Sequence, residues 1–278
     1  MTNTNFLKKQ RRFSGFWEIV KYQIKEFIQY KASFAITIII QPIMILINIA
    51  LFTSIYAFNG TSQIEGYNLS QMIWYFNGIN FVTTIIFNFT DLRLCQKILS
   101  GDLVMDLLRP ISILKYELAY SIGLRLTALM VELTPSIVVY SLIYFPSFMT
   151  LFSILRFALT VFLAFFILYF INFLIGLSAF IFKNNGAMTS IKVLLISLLG
   201  GGAIPLDFYP KAVGSVLDFL PFKYIYYWPT QFLLNMKETQ DIRVLVKVCL
   251  IQFLWIAVLY FVTKLLWKKS VQRFCAVG

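Results

Sequence analysis

Four uncharged polar residues, Asn77, Asn80, Thr84 and Asn88, recur three or four positions apart inside an apolar run over residues 69–90. At about 100° per residue they fall on one narrow helical face, with Asp91 next at the same spacing. Carboxamides and hydroxyls do not ionise in water's range; what they offer is paired donors and acceptors. Facing lipid, each would leave hydrogen-bonding groups unsatisfied, at a cost of roughly 2 kcal/mol or more. The face must therefore meet protein or a wet cavity. Two readings follow from that: the lining of a pathway or subunit interface, or glue between helices, for which Asn and Thr are regularly used.

Titratable chemistry is sparse. Arg125 and Glu132 stand two helical turns apart in another apolar run. Ionisable groups at such depth are expensive and usually paired. A proton relay is one use of such a pair. The reading adopted is structural, with Arg125 near enough to a helix end to reach out of the apolar layer. The chain has no histidine, which excludes imidazole general bases and His metal sites. Its three cysteines, Cys95, Cys249 and Cys275, have neither metal-ligand spacing nor an even disulfide framework. No G-x-x-x-x-G-K-[ST] occurs, so no P-loop of its own cradles a nucleotide. We expect no catalytic residue, no metal and no cofactor bound by this chain.

The elements that would position these groups are membrane helices. Hydrophobic residues make up 59% of the 278 positions and charged ones 13%. Soluble domains carry about a quarter charged residues. Spans are expected near 33–58, with a kink at Gln41-Pro42, and near 69–90, 118–144, 157–182, 187–204 and 244–267. Weak alternation at period two argues against a membrane barrel, and no cleavable signal peptide is expected. Residues 1–12 are polar, basic and expected to be partly disordered. Phe13, Phe16, Trp17, Val20, Ile24, Phe27 and Ile28 then share a helical face opposite Glu18, Lys21, Lys25 and Glu26. That pattern fits a helix lying in the membrane interface.

Six spans put both termini on one side. On that arrangement most Lys and Arg gather with the termini, which makes that side cytoplasmic. The net charge of +12 is accounted for in this way, without nucleic acid. Lys237, Arg243 and Lys247 run against the trend. The cytoplasmic segment 91–115 reads as a short amphipathic helix, Leu92 to Leu99, then Ser100-Gly101, then a second helical piece ending at Arg109-Pro110. Its apolar spacing suits docking on a soluble partner. Outside, residues 205–243 hold Pro205, Asp207, Pro210 and Pro221, too many breakers for a continuous span. Such backbone is tolerated at membrane depth only inside protein or along a wet cavity. We expect a re-entrant or outer-surface hairpin, with a short helix between Pro210 and Pro221.

The stretch Gly101-Asp102-Leu103-Val104-Met105-Asp106-Leu107-Leu108-Arg109-Pro110 resembles the G-x-L-x-x-x-L-x-R-P segment after the second span of ABC-2-type ABC transporter permeases. Gly202-Ala203-Ile204-Pro205, Tyr209-Pro210 and Leu220-Pro221-Phe222 resemble that family's segment before its last span. The resemblance covers essentially the whole chain and is nearest to the branch with paired permeases and a separate ATPase. It implies an all-α polytopic membrane protein with six transmembrane helices, an N-terminal interfacial helix and a re-entrant outer hairpin. It also implies a permease subunit of an exporter, partnered by a second permease and by ABC ATPase subunits that bind ATP and Mg. Coupling to the ATPase would fall on Leu92, Leu94, Lys97, Ile98, Gly101 and Arg109. The Asn77, Asn80, Thr84 and Asn88 face would line the pathway or the permease interface. The expected location is a bacterial plasma membrane, with both termini cytoplasmic. An ion-coupled secondary transporter is the alternative; it predicts an internal repeat, and none is found.

Overall fold

A computed structural model describes residues 15–26, 31–182 and 185–277 of the chain. The expectations for residues 1–12 and for Phe13, Phe27 and Ile28 lie outside the described residues. Residues 15–26 form helix α1, whose Val20 and Gln23 are buried over Gly123; a β-carbon there would sit 2.7 Å from that of Gln23. Helix α2 (Lys31–Asn59) continues through Pro42. After α2, β1 (Gln63–Ile64) and β2 (Tyr67–Asn68) pair as a small antiparallel hairpin.

Helix α3 (Leu69–Ile86) opens on a reciprocal cap between Asn68 and Gln71. It stops at Ile86, four residues short of the expected end, and Phe87 turns to an extended conformation. Helix α4 (Thr90–Ser100) follows at once, ended by Gly101 at φ 84°, a left-handed position that glycine adopts without a steric penalty. A short α5 (Leu103–Leu107) leads to α6 (Ile113–Ala128), a π-helical turn Leu129–Leu133, and α7 (Thr134–Ile143). The π-turn has a cause. Pro135 lacks an N–H and its ring crowds the carbonyl four residues back, so the ladder is widened there and the Thr134 N–H bonds Leu129 O.

Helix α8 (Leu151–Leu177) begins six residues before the expected start. Thr150 and Ser153 cap it reciprocally, and Arg156 is held by the carbonyls of Thr239 at 2.8 Å and Gln240 at 3.2 Å. The charge in its first turns is thus satisfied by protein. Helix α9 (Gly186–Leu199) is 14 residues long. The broken region then carries α10 (Lys211–Leu217) between Pro210 and Pro221, and α11 (Tyr227–Leu233), before the long α12 (Ile242–Val277).

Four stretches are long and apolar enough to cross a bilayer: Pro42–Asn59, Ile113–Ile143, Leu151–Phe180 and Ile242–Gln272. Polar residues hold α3 below that hydropathy, and it is largely buried in the protein. At about 1.5 Å per residue, α9 is shorter than the roughly 20 residues a bilayer asks for. The most buried of the four stretches is that of α8, which packs against α12, α4, α11 and α3. Its Phe165, Tyr169 and Phe173 join Trp74, Tyr140 and Phe232 in the aromatic core.

Candidate functional site

The break between α3 and α4 is the centre of a buried polar cluster. Asn88 lies in the break rather than on α3. Its carboxamide bonds Ile86 O at 3.2 Å, and its two oxygens accept from Asn172 Nδ2 of α8 at 2.9 and 3.0 Å. The first turn of α4 contributes Asp91, which is buried. Asp91 Oδ2 receives Lys192 Nζ of α9 at 2.6 Å and Thr189 Oγ1 at 3.1 Å. Lys192 Nζ also donates to Asn172 Oδ1 at 2.8 Å, and Asn185 Nδ2 to Asp91 O at 3.0 Å. Four elements (the break, α4, α8 and α9) therefore meet at one charge-neutral knot. A buried ion pair is tolerable only when its remaining lone pairs and protons are met in this way.

The span expected over 69–90 runs past this break, because α3 ends at Ile86. One signal for the break was present. Asn88, Thr90 and Asp91 stand close together, and such side chains compete for local backbone groups and favour helix starts.

The polar face of α3 divides. Asn77 is fully buried, accepting from Asn48 Nδ2 at 3.2 Å and donating to Ile73 O at 2.9 Å. Asn80 and Thr84 are partly exposed. Asn77 and Asn88 are thus occupied inside this chain, which fits helix glue. Asn80 and Thr84 keep a surface toward the outside.

The coupling residues divide as well. Leu94 is 0% exposed and Ile98 is buried; both pack with Tyr169, Phe170, Phe173 and Leu177 of α8. This corrects the expectation that they offer a docking face: the apolar stripe of α4 points inward. Leu92 and Leu99 are exposed instead, along with Val104, Met105 (66%) and Leu108 (76%) on and after α5. Lys97 is tied to Asp106 and Glu117, each at 2.6 Å, and Arg93 to Glu117 at 3.1 Å. Arg109 meets Asp106 at 3.2 Å and lies over the Tyr116 ring. A hydrogen bond to Tyr116 and then the charge of Asp106 push the Arg109 guanidinium further above its ordinary range. These ion pairs brace α4 and α5 against α6.

Arg125 and Glu132 do not form an ion pair among the described residues. Arg125 Nη1 donates to Thr84 O at 2.9 Å, and its guanidinium lies 5.9 Å from the centre of the Phe87 ring. Glu132 belongs to the π-turn, which shifts it off the simple two-turn spacing from Arg125.

In the broken region Asp207 is the hub. Tyr227 Oη donates to its Oδ1 at 2.7 Å, and Tyr67 Oη and Gln231 Nε2 reach its Oδ2. Tyr75 Oη donates to Gly201 O at 2.7 Å. Burial, and then the Asp207 charge, push the phenols of Tyr67 and Tyr227 far above the usual tyrosine range, so both stay protonated donors. Pro205 precedes the 3₁₀ turn that carries Asp207; Pro210 and Pro221 frame α10. The region is pinned to β2 and α3 through the hydroxyls of Tyr67 and Tyr75.

A comparison with protein families matches residues 39–278 to the family described as ABC-2 family transporter protein. A comparison with curated proteins finds no match. The match takes in every described helix from the middle of α2 onward, including the α3–α4 break, α5 and the Asp207 region. The chain belongs to the ABC-2 transporter family and is a multi-pass membrane protein of it.

Proposed function

We propose that this chain is the permease subunit of an ATP-driven exporter in a bacterial plasma membrane. It would work with a second permease and with separate ABC ATPase subunits that bind ATP and Mg. The chain itself is no enzyme on this reading. The observation that carries it is the surface of α4 and α5. Leu92, Leu99, Val104, Met105 and Leu108 stay exposed while the opposite side of the same segment is packed on α8 and braced by ion pairs. A rigid lever with an apolar outer strip can transmit a partner's motion to the helices beneath it. The partner must favour one position of the lever over another.

In this reading α3 and α9 complete six crossings and both termini are cytoplasmic. The Asp207 region closes the outer end as a re-entrant hairpin. The second permease covers the exposed face of α9 (Ile191, Leu194, Leu195 and Leu198) and the open side of Asn80 and Thr84. The test is co-purification from the native membrane, followed by transport in vesicles with and without ATP. Retention of an ATPase subunit and ATP-dependent transport support the assignment. Transport that runs on an ion gradient with no ATPase present overturns it in favour of a secondary transporter.

A further inference from the structure

The segment between α5 and α6 does more than join them. Asp106, Leu107, the run Arg109 to Ile113, Lys115 and Trp267 of α12 line a half-open cavity of about 420 Å³. Arg109 and Lys115 line it, together with Ser112 and Asp106. The acidic residue is already met, by Lys97 at 2.6 Å and Arg109 at 3.2 Å. Arg93, Lys97 and Arg109 share the two carboxylates of Asp106 and Glu117, and Lys115 lines the cavity with no ion pair among the described residues, so positive charge is in excess there. Ser112 makes no side-chain cap, so it does not occupy the first amides of α6.

Depth identifies the ligand. Ile113 begins one membrane-length run, and Trp267 lies in the last part of another. The cavity therefore sits where hydrocarbon gives way to headgroups. Trp is the side chain that anchors there, and Lys264, Lys268 and Lys269 flank it. Exposed Leu107 lines the cavity, and exposed Leu265 and Leu266 precede Trp267 in sequence. Apolar surface under a basic, roomy recess suits a molecule with an anionic head and acyl chains. Basic pockets at the cytoplasmic ends of spans bind anionic headgroups by this combination.

We propose that this cavity binds the phosphate headgroup of an anionic phospholipid from the cytoplasmic leaflet. Arg109 and Lys115 contact the phosphate, and Trp267 sets the depth of the glycerol region. The leaflet follows from the orientation proposed above, whereas binding itself does not depend on transport. Native mass spectrometry of the purified chain, with phosphatidylglycerol or phosphatidylcholine added in turn, tests it without any ATPase. The expected result is selective retention of phosphatidylglycerol, weakened about fivefold by Lys115→Ala, as for one basic residue at a membrane surface. Lys115→Glu should weaken it further and Lys115→Arg should restore it. Lys115 is exposed, so the variants keep the thermal midpoint of the parent chain. Equal retention of the two lipids, or unchanged retention in Lys115→Glu, overturns the proposal. Displacement of the lipid by millimolar inorganic phosphate also overturns it, by identifying a soluble-phosphate site instead.

Discussion

Lys192 Nζ lies 2.6 Å from Asp91 Oδ2, joining the middle of α9 to the first turn of α4. The two residues are 101 positions apart. Helix α9 exposes Ile191, Val193 and Leu194 and is otherwise anchored by buried Ile196 and by the turn Phe222–Tyr224. The ion pair is therefore a principal link between α4 and the half-length helix α9 that leads into the Asp207 region. Movement of α4 would be felt by α9 through this contact and through Asn172 of α8.

Breaking the link from one side should be costly. Lys192→Met leaves Asp91 buried without its cation, a loss of about 3–5 kcal/mol for a buried pair. We expect a lower thermal midpoint in detergent and poor yield. Asp91→Asn combined with Lys192→Met removes both charges and should recover most of the stability. If the double variant is as unstable as the single one, the pair is not the source of the loss.

The inward and outward sides of α4–α5 should separate in experiment. Leu94→Ala empties a position packed on α8 and should cost about 2–5 kcal/mol in stability. Met105→Asp with Leu108→Asp changes only exposed positions and should leave the melting curve in place while releasing the ATPase on co-purification. An ATPase that remains bound to the double aspartate variant would place the docking surface elsewhere.

The sequence made much of this architecture legible, for reasons that also mark its limits. Long apolar runs with few charges locate the long helices, because exclusion from water acts along the whole run. Proline 210 and proline 221 framed α10 because proline constrains its own backbone wherever it stands. Periodicity alone could not locate the end of α3, since Phe87, Asn88 and Phe89 continue the helical pattern while their backbone leaves it. The same periodicity showed that α4 has an apolar side but not which partner covers it; α8, far along the chain, takes that side. Asp91 with Lys192, and Asp207 with Tyr67 and Tyr227, are pairings across long chain distances, and no local spacing encodes them.

Asp207 should hold the broken region between α9 and α12 in place. Asp207→Ala leaves Tyr67, Tyr227 and Gln231 without their shared acceptor, a cost of about 2–3 kcal/mol for charge-assisted bonds. Tyr227→Phe removes one donor and should cost less. Because burial keeps both phenols protonated, the effect of Tyr227→Phe should not vary across the neutral pH range. Limited proteolysis between Lys211 and Lys223 reads the outcome: faster cleavage in Asp207→Ala than in Tyr227→Phe, and slowest in the parent. Equal rates in all three would remove Asp207 from this role.

Gly176 offers the most direct test of the lever. A β-carbon at this position of α8 would stand 2.8 Å from Leu94 Cβ and 3.2 Å from Asp91 O, so α4 approaches α8 only because glycine is there. Both neighbours belong to α4, one to its buried stripe and the other to the ion-paired turn. Gly176→Ala must therefore push α4 outward or strain it, at about 1–3 kcal/mol for an overpacked contact. Since the exposed strip of α5 is untouched, the ATPase should still co-purify while transport per ATP hydrolysed falls. Leu94→Ala removes only the Cδ2 contact at 3.0 Å and keeps the closer Cβ, so the double variant should not recover the loss. A Gly176→Ala protein that melts and transports like the parent would show that α4 does not need this close contact.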